Sequence, residues 1–429
     1  MTFAELSQYL YELPRVTKKN TPEESDAFYT FLGRPSEQRQ IVHIAGTNGK
    51  GSTAVYLESL LKAAGYRVGL FTSPHLISMT ERMRVDGTDI SEEDFIEVYE
   101  AIAATLKVYQ KEHDYYPTFF EWMFFIAMLW YEKKGPQVVI LETGLGGRLD
   151  TTNLVREKAV TVITKIALDH TQYLGDTVDK IAVEKAGIMR PGTPVVFYAE
   201  DSLVTQTLWE WAKIMKSPAY LMPPVSCSDI TLSEAGIAFP YSFHFFGNAE
   251  MVLKTKALYQ ADNASLALKA GEILLGKQLT KEMAKDALQN AFWPCRMEEI
   301  LPGIVIDGGH NPDGISALLK SVEASGGKNL LLFAVVNDKD YASMLELIAD
   351  SGLFAEIILT AVPGPRKTEG KELLTIACEK GVQASYIEDA GEAFAQARKI
   401  KQEEHFDTLY VAGSLYLAGN IRNIVLHEG

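Results

Sequence analysis

Apolar and polar positions divide the chain into short apolar runs, each closed by glycine or polar residues, alternating with stretches at helical spacing. About forty residues at the start read as amphipathic helix, with a polar stretch around Lys18 to Ser25. The run IVHIAG (41–46) then predicts a strand ending at a glycine-rich turn. AVYLESLLKAAG (54–65) carries apolar residues at helical spacing and stops at glycine, and YRVGLFTSP (66–74) predicts the next strand. A strand–turn–helix–strand unit is the building block of a parallel sheet. TFFEWMFFIAMLWYEKK (118–134) is apolar on every face, as a helix buried between layers would be. QVVILETGLGG (137–147), KAVTVITKIALDH (158–170) and TPVVFYA (193–199) predict further strands. Their continuous Val/Ile runs fit strands covered on both faces.

From about Pro223 to Lys256 shorter alternating segments predict an antiparallel appendage, followed by a helix over YQADNASLALKAGEILLG (259–276). The pattern breaks between Trp293 and Pro302. Strands resume at GIVIDGG (303–309), NLLLFAVV (329–336), AEIILTAV (355–362), ASYIE (384–388) and TLYVAG (408–413). The expected architecture is α/β, with a parallel-sheet domain over 1–293, a linker over 294–302 and a smaller α/β domain over 303–429.

Composition narrows the function. At 429 residues, 47% hydrophobic and 23% charged, the chain is a globular protein of two or three domains. Lys plus Arg total 41 against 56 Asp plus Glu, a formal net charge of −15, which disfavours a nucleic-acid partner. Three scattered cysteines without a CxxC pair fit a reducing compartment. The acidic start MTFAELSQYLYEL lacks the pattern of a signal peptide. The most apolar stretch, Phe119 to Tyr131, falls short of the ~20 residues that span a bilayer. A cytoplasmic protein without a membrane partner, acting as a monomer, is expected.

The strongest chemical signal is Gly46-Thr47-Asn48-Gly49-Lys50-Gly51-Ser52-Thr53, between a strand and a helix. Small residues let backbone N–H groups converge on phosphate oxygens, the helix N-terminus adds positive potential, and Lys50 adds a point charge. The spacing differs from GxxxxGK[ST], because Gly51 intervenes before Ser52. A tight glycine turn is the plainer alternative. In Thr72-Ser73-Pro74-His75 a hydroxyl would lie near that loop, although Ser-Pro alone also starts turns. Glu142, beside three glycines, stands where a Mg²⁺-binding acid of a phosphate site is found. Asp169-His170 at a strand end reads as a hydrogen-bonded loop histidine on spacing alone, and His43 as packing within its strand. Glu184-Lys185 reads as solvated helix charge; a lysine near divalent metal has another possibility, reaction with CO₂ to a carbamate that offers oxygen.

Taken together, HIAGTNGKGST, TSPH, LETGLGGRLDTTN, ALDH, EKAGI, QADNA, CRMEE, IDGGHNPDG, DKDY and AGSLYLAG resemble, in order from about residue 40 to 425, the folylpolyglutamate synthase/dihydrofolate synthase family of Mur-ligase-like ATP-dependent ligases. The resemblance implies a P-loop NTPase-like first domain and a Rossmann-like second one. It implies that residues 46 to 53 cradle ATP, that Ser73 and Glu142 hold Mg²⁺, and that His170 and a carbamylated Lys185 serve a second Mg²⁺. Asn263, Arg296 and Asp307 would contact the nucleotide, and His310 and Ser414 would border the glutamate. The implied substrates are ATP, L-glutamate and a folate or dihydropteroate. The chain departs from the family at Cys295 (often Gly), Gly309 (often Ala) and Asp150-Thr151-Thr152-Asn153 (commonly DATN or DSTN). The implied chemistry is transfer of the γ-phosphoryl group to a carboxylate, then attack by the glutamate amine on the acyl phosphate. Another Mur-type ligase and a non-enzymatic ATP-binding switch are the competing readings. The first would carry an extra N-terminal domain, yet about forty residues precede the loop. The second would lack ligands beyond the loop, yet Ser73, Glu142, His170 and Lys185 are present.

Overall fold

The computed structural model describes residues 1–13, 20–362 and 367–427; Lys18 and Lys19 of the polar N-terminal stretch lie outside them. Two helices open the chain, Phe3–Glu12 and Pro22–Phe31. Each begins at a threonine, Thr2 or Thr21, whose hydroxyl accepts the N–H of a glutamate three residues on while that glutamate returns the bond.

The chain divides into two compact units: Met1–Pro224 with Tyr241–Met251 and Asp262–Ala291, and Val225–Pro240 with Val252–Ala261 and Phe292–Gly429. The first is built on eight strands: β1 (Gln40–Ala45), β2 (Val68–Phe71), β3 (Met83–Val85), β4 (Thr88–Asp89), β5 (Val138–Glu142), β6 (Val160–Ile163), β7 (Val195–Tyr198) and β8 (Ala219–Met222), in the order β4-β3-β2-β5-β1-β6-β7-β8. All pair in parallel except the β2–β3 and β3–β4 contacts at one edge. Strands β2, β5, β6 and β7 are buried at every residue, which is why their sequences run apolar without alternation. Val139 and Leu141 of β5 pack with helix Phe119–Lys134 in an aromatic-rich core that includes Phe28, Tyr29, Phe124 and Phe125. Ala45, Ile163 and Phe197 pack against Ile181, Ala182 and Ala186 of helix Val178–Ala186.

Strands β9 (Thr231–Ser233), β10 (Gly236–Phe243) and β11 (Gly247–Leu253) form a small sheet, β9 and β10 antiparallel. The second unit carries β12 (Glu298–Leu301), β13 (Ile304–Ile306), β14 (Asn329–Phe333), β15 (Phe354–Leu359), β16 (Ala384–Tyr386) and β17 (Thr408–Ala412), in the order β12-β13-β17-β14-β15-β16. Only β12 pairs antiparallel. Part of the expected linker is therefore a strand: Glu298–Leu301 forms the sheet's edge. There Glu298 is held by Arg422 Nε at 3.0 and 3.1 Å and accepts the N–H of Cys295 at 2.9 Å. Charged residues suit an edge strand, and they hid it from an apolar-run reading.

Candidate active site

Sheet register assembles the site. Ile44 of β1 stands beside Glu142 of β5, and Ala45 beside Ile163 of β6. The glycine loop therefore leaves β1 between Glu142-Thr143 and Thr164-Lys165, at the carboxyl ends of the strands, where open α/β sheets bind ligands. Its floor is hydrogen-bonded: Thr47 N–H donates to Lys165 O at 2.8 Å, Thr47 Oγ1 to Ala167 O at 3.0 Å, and Thr164 Oγ1 to Asn48 O at 2.7 Å. Gly49 has φ +88°, and a Cβ there would run into Asn263 Oδ1, so only glycine fits this turn. Helix Lys50–Ala63 starts at Gly49 with no side-chain cap and no acid in its first turn, an arrangement suited to an anion. Lys50 Nζ donates to Thr47 O at 3.1 Å and lies 4.0 Å from Glu142 Oε1. Glu142, 4% exposed, accepts the Ser73 N–H through Oε2 at 3.1 Å.

Lys185 is buried, and its Nζ donates to Gly46 O at 2.7 Å. Burial, then the nearby charge of Lys50, pushes its pKa down to about 7, against the opposing pull of Asp169 and Asp150. The expectation of a solvated helix lysine is thus overturned. Lys185 follows the core residue Ile181 by four positions and shares its inward face. Glu184 instead pairs with Arg148, Nη2 to Oε1 at 2.8 Å.

His170 also departs from expectation. Strand β6 stops at Ile163, because residues 164–167 turn to hold the glycine loop, so Asp169-His170 does not end a strand. His170 sits at φ +50° as the first cap of helix Thr171–Leu174, with its N–H bonded to Asp169 Oδ1 at 2.8 Å and its side chain 38% exposed. His43 is fully buried and bonded through Nε2 to Thr152 Oγ1 at 2.7 Å, a packing histidine as expected.

Among the described residues no group of three or more His, Cys, Asp and Glu is placed to hold a metal ion. The carboxylate of Glu142, which accepts the Ser73 backbone N–H, is a donor that suits Mg²⁺, which binds through one or two carboxylates and completes its shell with water and substrate phosphates.

In the second unit, Asp307 is buried and internally committed. Its Oδ2 accepts from Tyr259 Oη at 2.5 Å and Met297 N at 3.0 Å, and its Oδ1 from Gly309 N at 2.7 Å. Arg296 Nη1 donates to Cys295 O at 2.9 Å, and His310 Nδ1 lies 2.8 Å from Gly308 O. Ser414 is buried at the start of helix Leu415–His427, its Oγ accepting the Tyr416 N–H at 3.2 Å.

Some participants escaped the sequence reading. Thr164 and Lys165 lay inside an assumed strand. His75, inside a quoted motif, is held between Tyr11 Oη at 2.7 Å and Arg82 Nε at 2.7 Å. With Nδ1 accepting from Arg82, Nε2 carries the proton and donates to Tyr11. No local pattern links residue 11 to residue 75.

Comparison with known proteins matches residues 296–415 to the Mur ligase, glutamate ligase domain family. The dihydrofolate synthase/folylpolyglutamate synthase of Bacillus subtilis (strain 168) is 33% identical over 406 residues, covering 91% of each chain. Mycobacterium tuberculosis folylpolyglutamate synthase complexed with ADP superposes with a TM-score of 0.90 at 26% identity, covering 99% of this chain and 98% of that one. Escherichia coli FolC in complex with DHPP and ADP gives a TM-score of 0.83 at 28% identity, covering 100% and 98%.

Proposed function

Because this chain belongs to the folylpolyglutamate synthase/dihydrofolate synthase family of Mur-type ligases, we propose that its glycine-loop site activates a folate carboxylate for glutamate addition. The protein is an ATP-dependent ligase that joins L-glutamate to the γ-carboxylate of tetrahydrofolate through an acyl phosphate, releasing ADP and phosphate. The observation that carries the reading of the site is the convergence of Lys50, Glu142 and Lys185 on one loop: Lys50 Nζ 4.0 Å from Glu142 and Lys185 Nζ 2.7 Å from Gly46 O.

The chemistry asks these residues to bring two anions together. The acceptor carboxylate must approach the γ-phosphoryl group of ATP, and their repulsion is the first barrier. Lys50 and the uncapped start of helix Lys50–Ala63 supply positive charge in fixed positions, where it costs little reorganisation during reaction. Gly46 to Thr53 bind the phosphates and Asn263 borders the loop. Mg²⁺, one ion or two, held by Ser73, Glu142, His170 and Lys185 as carbamate, would neutralise phosphate charge when bound. Lys185 can form that carbamate because burial makes its neutral amine accessible near pH 7. Its nitrogen attacks the carbon of CO₂, an N–C bond forms and one proton leaves. The amine of glutamate then attacks the acyl phosphate and phosphate departs. The family resemblance assigns Arg296 and Asp307 to the nucleotide, and His310 and Ser414 to the glutamate. A cytoplasmic monomer completes the reading, in keeping with the free thiols of Cys227, Cys295 and Cys378.

A second acceptor, dihydropteroate, is favoured by the bifunctional names of the Bacillus subtilis and Escherichia coli relatives. One assay decides between acceptors: purified protein with ATP, Mg²⁺ and glutamate, and either tetrahydrofolate or dihydropteroate, followed by product mass and ADP release. One added glutamyl residue per ADP is expected with tetrahydrofolate, and no glutamyl product with either acceptor would refute the reading. Lys185→Ala should cripple turnover in the same assay, with partial rescue by short carboxylic acids and bicarbonate. Turnover within a few-fold of wild type would return Lys185 to a structural role.

A further inference from the structure

The loop that follows Glu142 does not stop at the ligand it carries. Residues 144–153 are folded around Asp150, whose Oδ2 accepts from Gly144 N at 3.0 Å and Leu145 N at 2.8 Å, and whose Oδ1 accepts from Thr152 N at 3.0 Å and Thr152 Oγ1 at 2.5 Å. The loop lies directly against helix Val178–Ala186. Arg148 N–H donates to Glu184 O at 2.7 Å, a Cβ on Gly147 would sit 2.8 Å from the same carbonyl, and a Cβ on Gly187 would strike the Arg148 Cα and Cβ.

Across this contact stands Asn153, with every hydrogen-bonding position of its amide used. Nδ2 donates to Arg148 O at 3.0 Å and to Gly187 O at 3.1 Å. Oδ1 accepts from Lys158 Nζ at 2.7 Å and from Arg190 Nη2 at 2.7 Å. The two basic side chains continue onto the helix end. Lys158, buried, donates to Ile188 O at 2.8 Å, and Arg190 Nη1 donates to Gly187 O and Met189 O at 3.2 Å each. Three successive carbonyls after the helix, 187 to 189, are therefore bonded by Asn153, Lys158 and Arg190, at the terminus where carbonyls lack intrahelical partners. Lys185 lies two residues before the first of them.

We infer that Asn153 is a positioning residue for Lys185: its amide, with Lys158 and Arg190, latches the end of helix Val178–Ala186 to the loop behind Glu142, so that Lys185 Nζ stays in register with Gly46 and Glu142. The inference rests on the proposed role of Lys185. The side-chain chemistry is specific. Aspartate would keep both acceptor bonds but would turn a carboxylate oxygen toward the carbonyls of Arg148 and Gly187, and an aliphatic residue would lose all four bonds.

Asn153→Asp keeps the size of the side chain, and Lys158→Met tests the latch from its other end, so a folding failure in one variant leaves the other to decide. For each, kcat, KM for ATP, the half-saturating bicarbonate concentration and hydrogen exchange of the amides at 187–189 are measured in the full-length protein, beside Lys185→Ala. The latch predicts a fall in kcat of roughly 10–100-fold, as for residues that orient ligands from behind, with KM for ATP within about threefold. It also predicts a higher bicarbonate requirement and faster exchange at 187–189. Unchanged exchange at these amides, or wild-type kcat and bicarbonate dependence in a folded variant, overturns it. Near wild-type turnover of Lys185→Ala would instead overturn the role of Lys185 on which the inference rests, while the exchange data still report on the latch itself.

Discussion

Lys50 and Lys185 are two lysines at one loop with opposite environments. Lys50 reaches back over its own turn to Thr47 O and toward Glu142, while Lys185 comes from a core-facing helix and is buried. The first was legible in the sequence because everything that positions it is local: β1, Gly49 and the helix start lie within a dozen residues. The burial of the second was not, because it depends on residues 181–186 packing against Ala45, Ile163 and Phe197 of three separate strands. Removing Lys50 withdraws a charge aimed at the transferring phosphoryl group without opening the core. Lys50→Ala is expected to lower kcat by roughly 10²–10³-fold, the scale of losing one preorganised electrostatic contact, with the unfolding transition unchanged. Steady-state kinetics beside a denaturation curve check this, and near wild-type turnover would remove the loop from the chemistry.

Among the elements, β6 and its continuation teach the most. The apolar run KAVTVITKIALDH marks where side chains are buried, but it does not mark where strand pairing ends. The strand ends at Ile163; the Thr164 N–H still donates to Ala45 O, while Thr164 Oγ1, Lys165 O and Ala167 bond the glycine loop. The parallel strands and the long buried helix could be read from periodicity because both are covered on all sides. Edge strand β12 and the short β3–β4 pair could not, because half-exposed charged residues blur the alternation. If residues 164–167 are the floor of the loop, Thr164→Val should keep the shape of the site and lose the bond from Thr164 Oγ1 to Asn48 O. A cost of about 1 kcal/mol is expected, seen as a roughly fivefold weaker ADP affinity in a calorimetric titration. Unaltered affinity would mean that this bond does not hold the loop in its binding form.

At the scale of the whole molecule, acids outnumber bases, 56 against 41, and the central strand of the first unit carries a buried histidine. Burial, and then the charges of Lys158 and Arg190, hold His43 well below the ordinary imidazole range. The unfolded chain protonates it near the usual value of about 6.5, so below that pH the unfolded state binds the extra proton. The contribution of His43 is therefore complete above about pH 6.5 and falls as pH is lowered toward the folded-state value, by at most about 1.4 kcal/mol per pH unit. Relative to His43→Gln, the wild-type protein should lose unfolding free energy between about pH 7.5 and pH 5, and a difference that does not vary with pH would contradict this. The same buried strand delivers the glycine loop, so the acid-sensitive core and the ligase site share one support. The central claim, that this site phosphorylates a folate carboxylate before glutamate adds, is tested most directly by isotope transfer. With heavy oxygen in the γ-carboxylate of tetrahydrofolate, the account predicts that each glutamyl bond formed leaves one heavy oxygen in the released phosphate. Unlabelled phosphate accompanying a glutamylated product would contradict it.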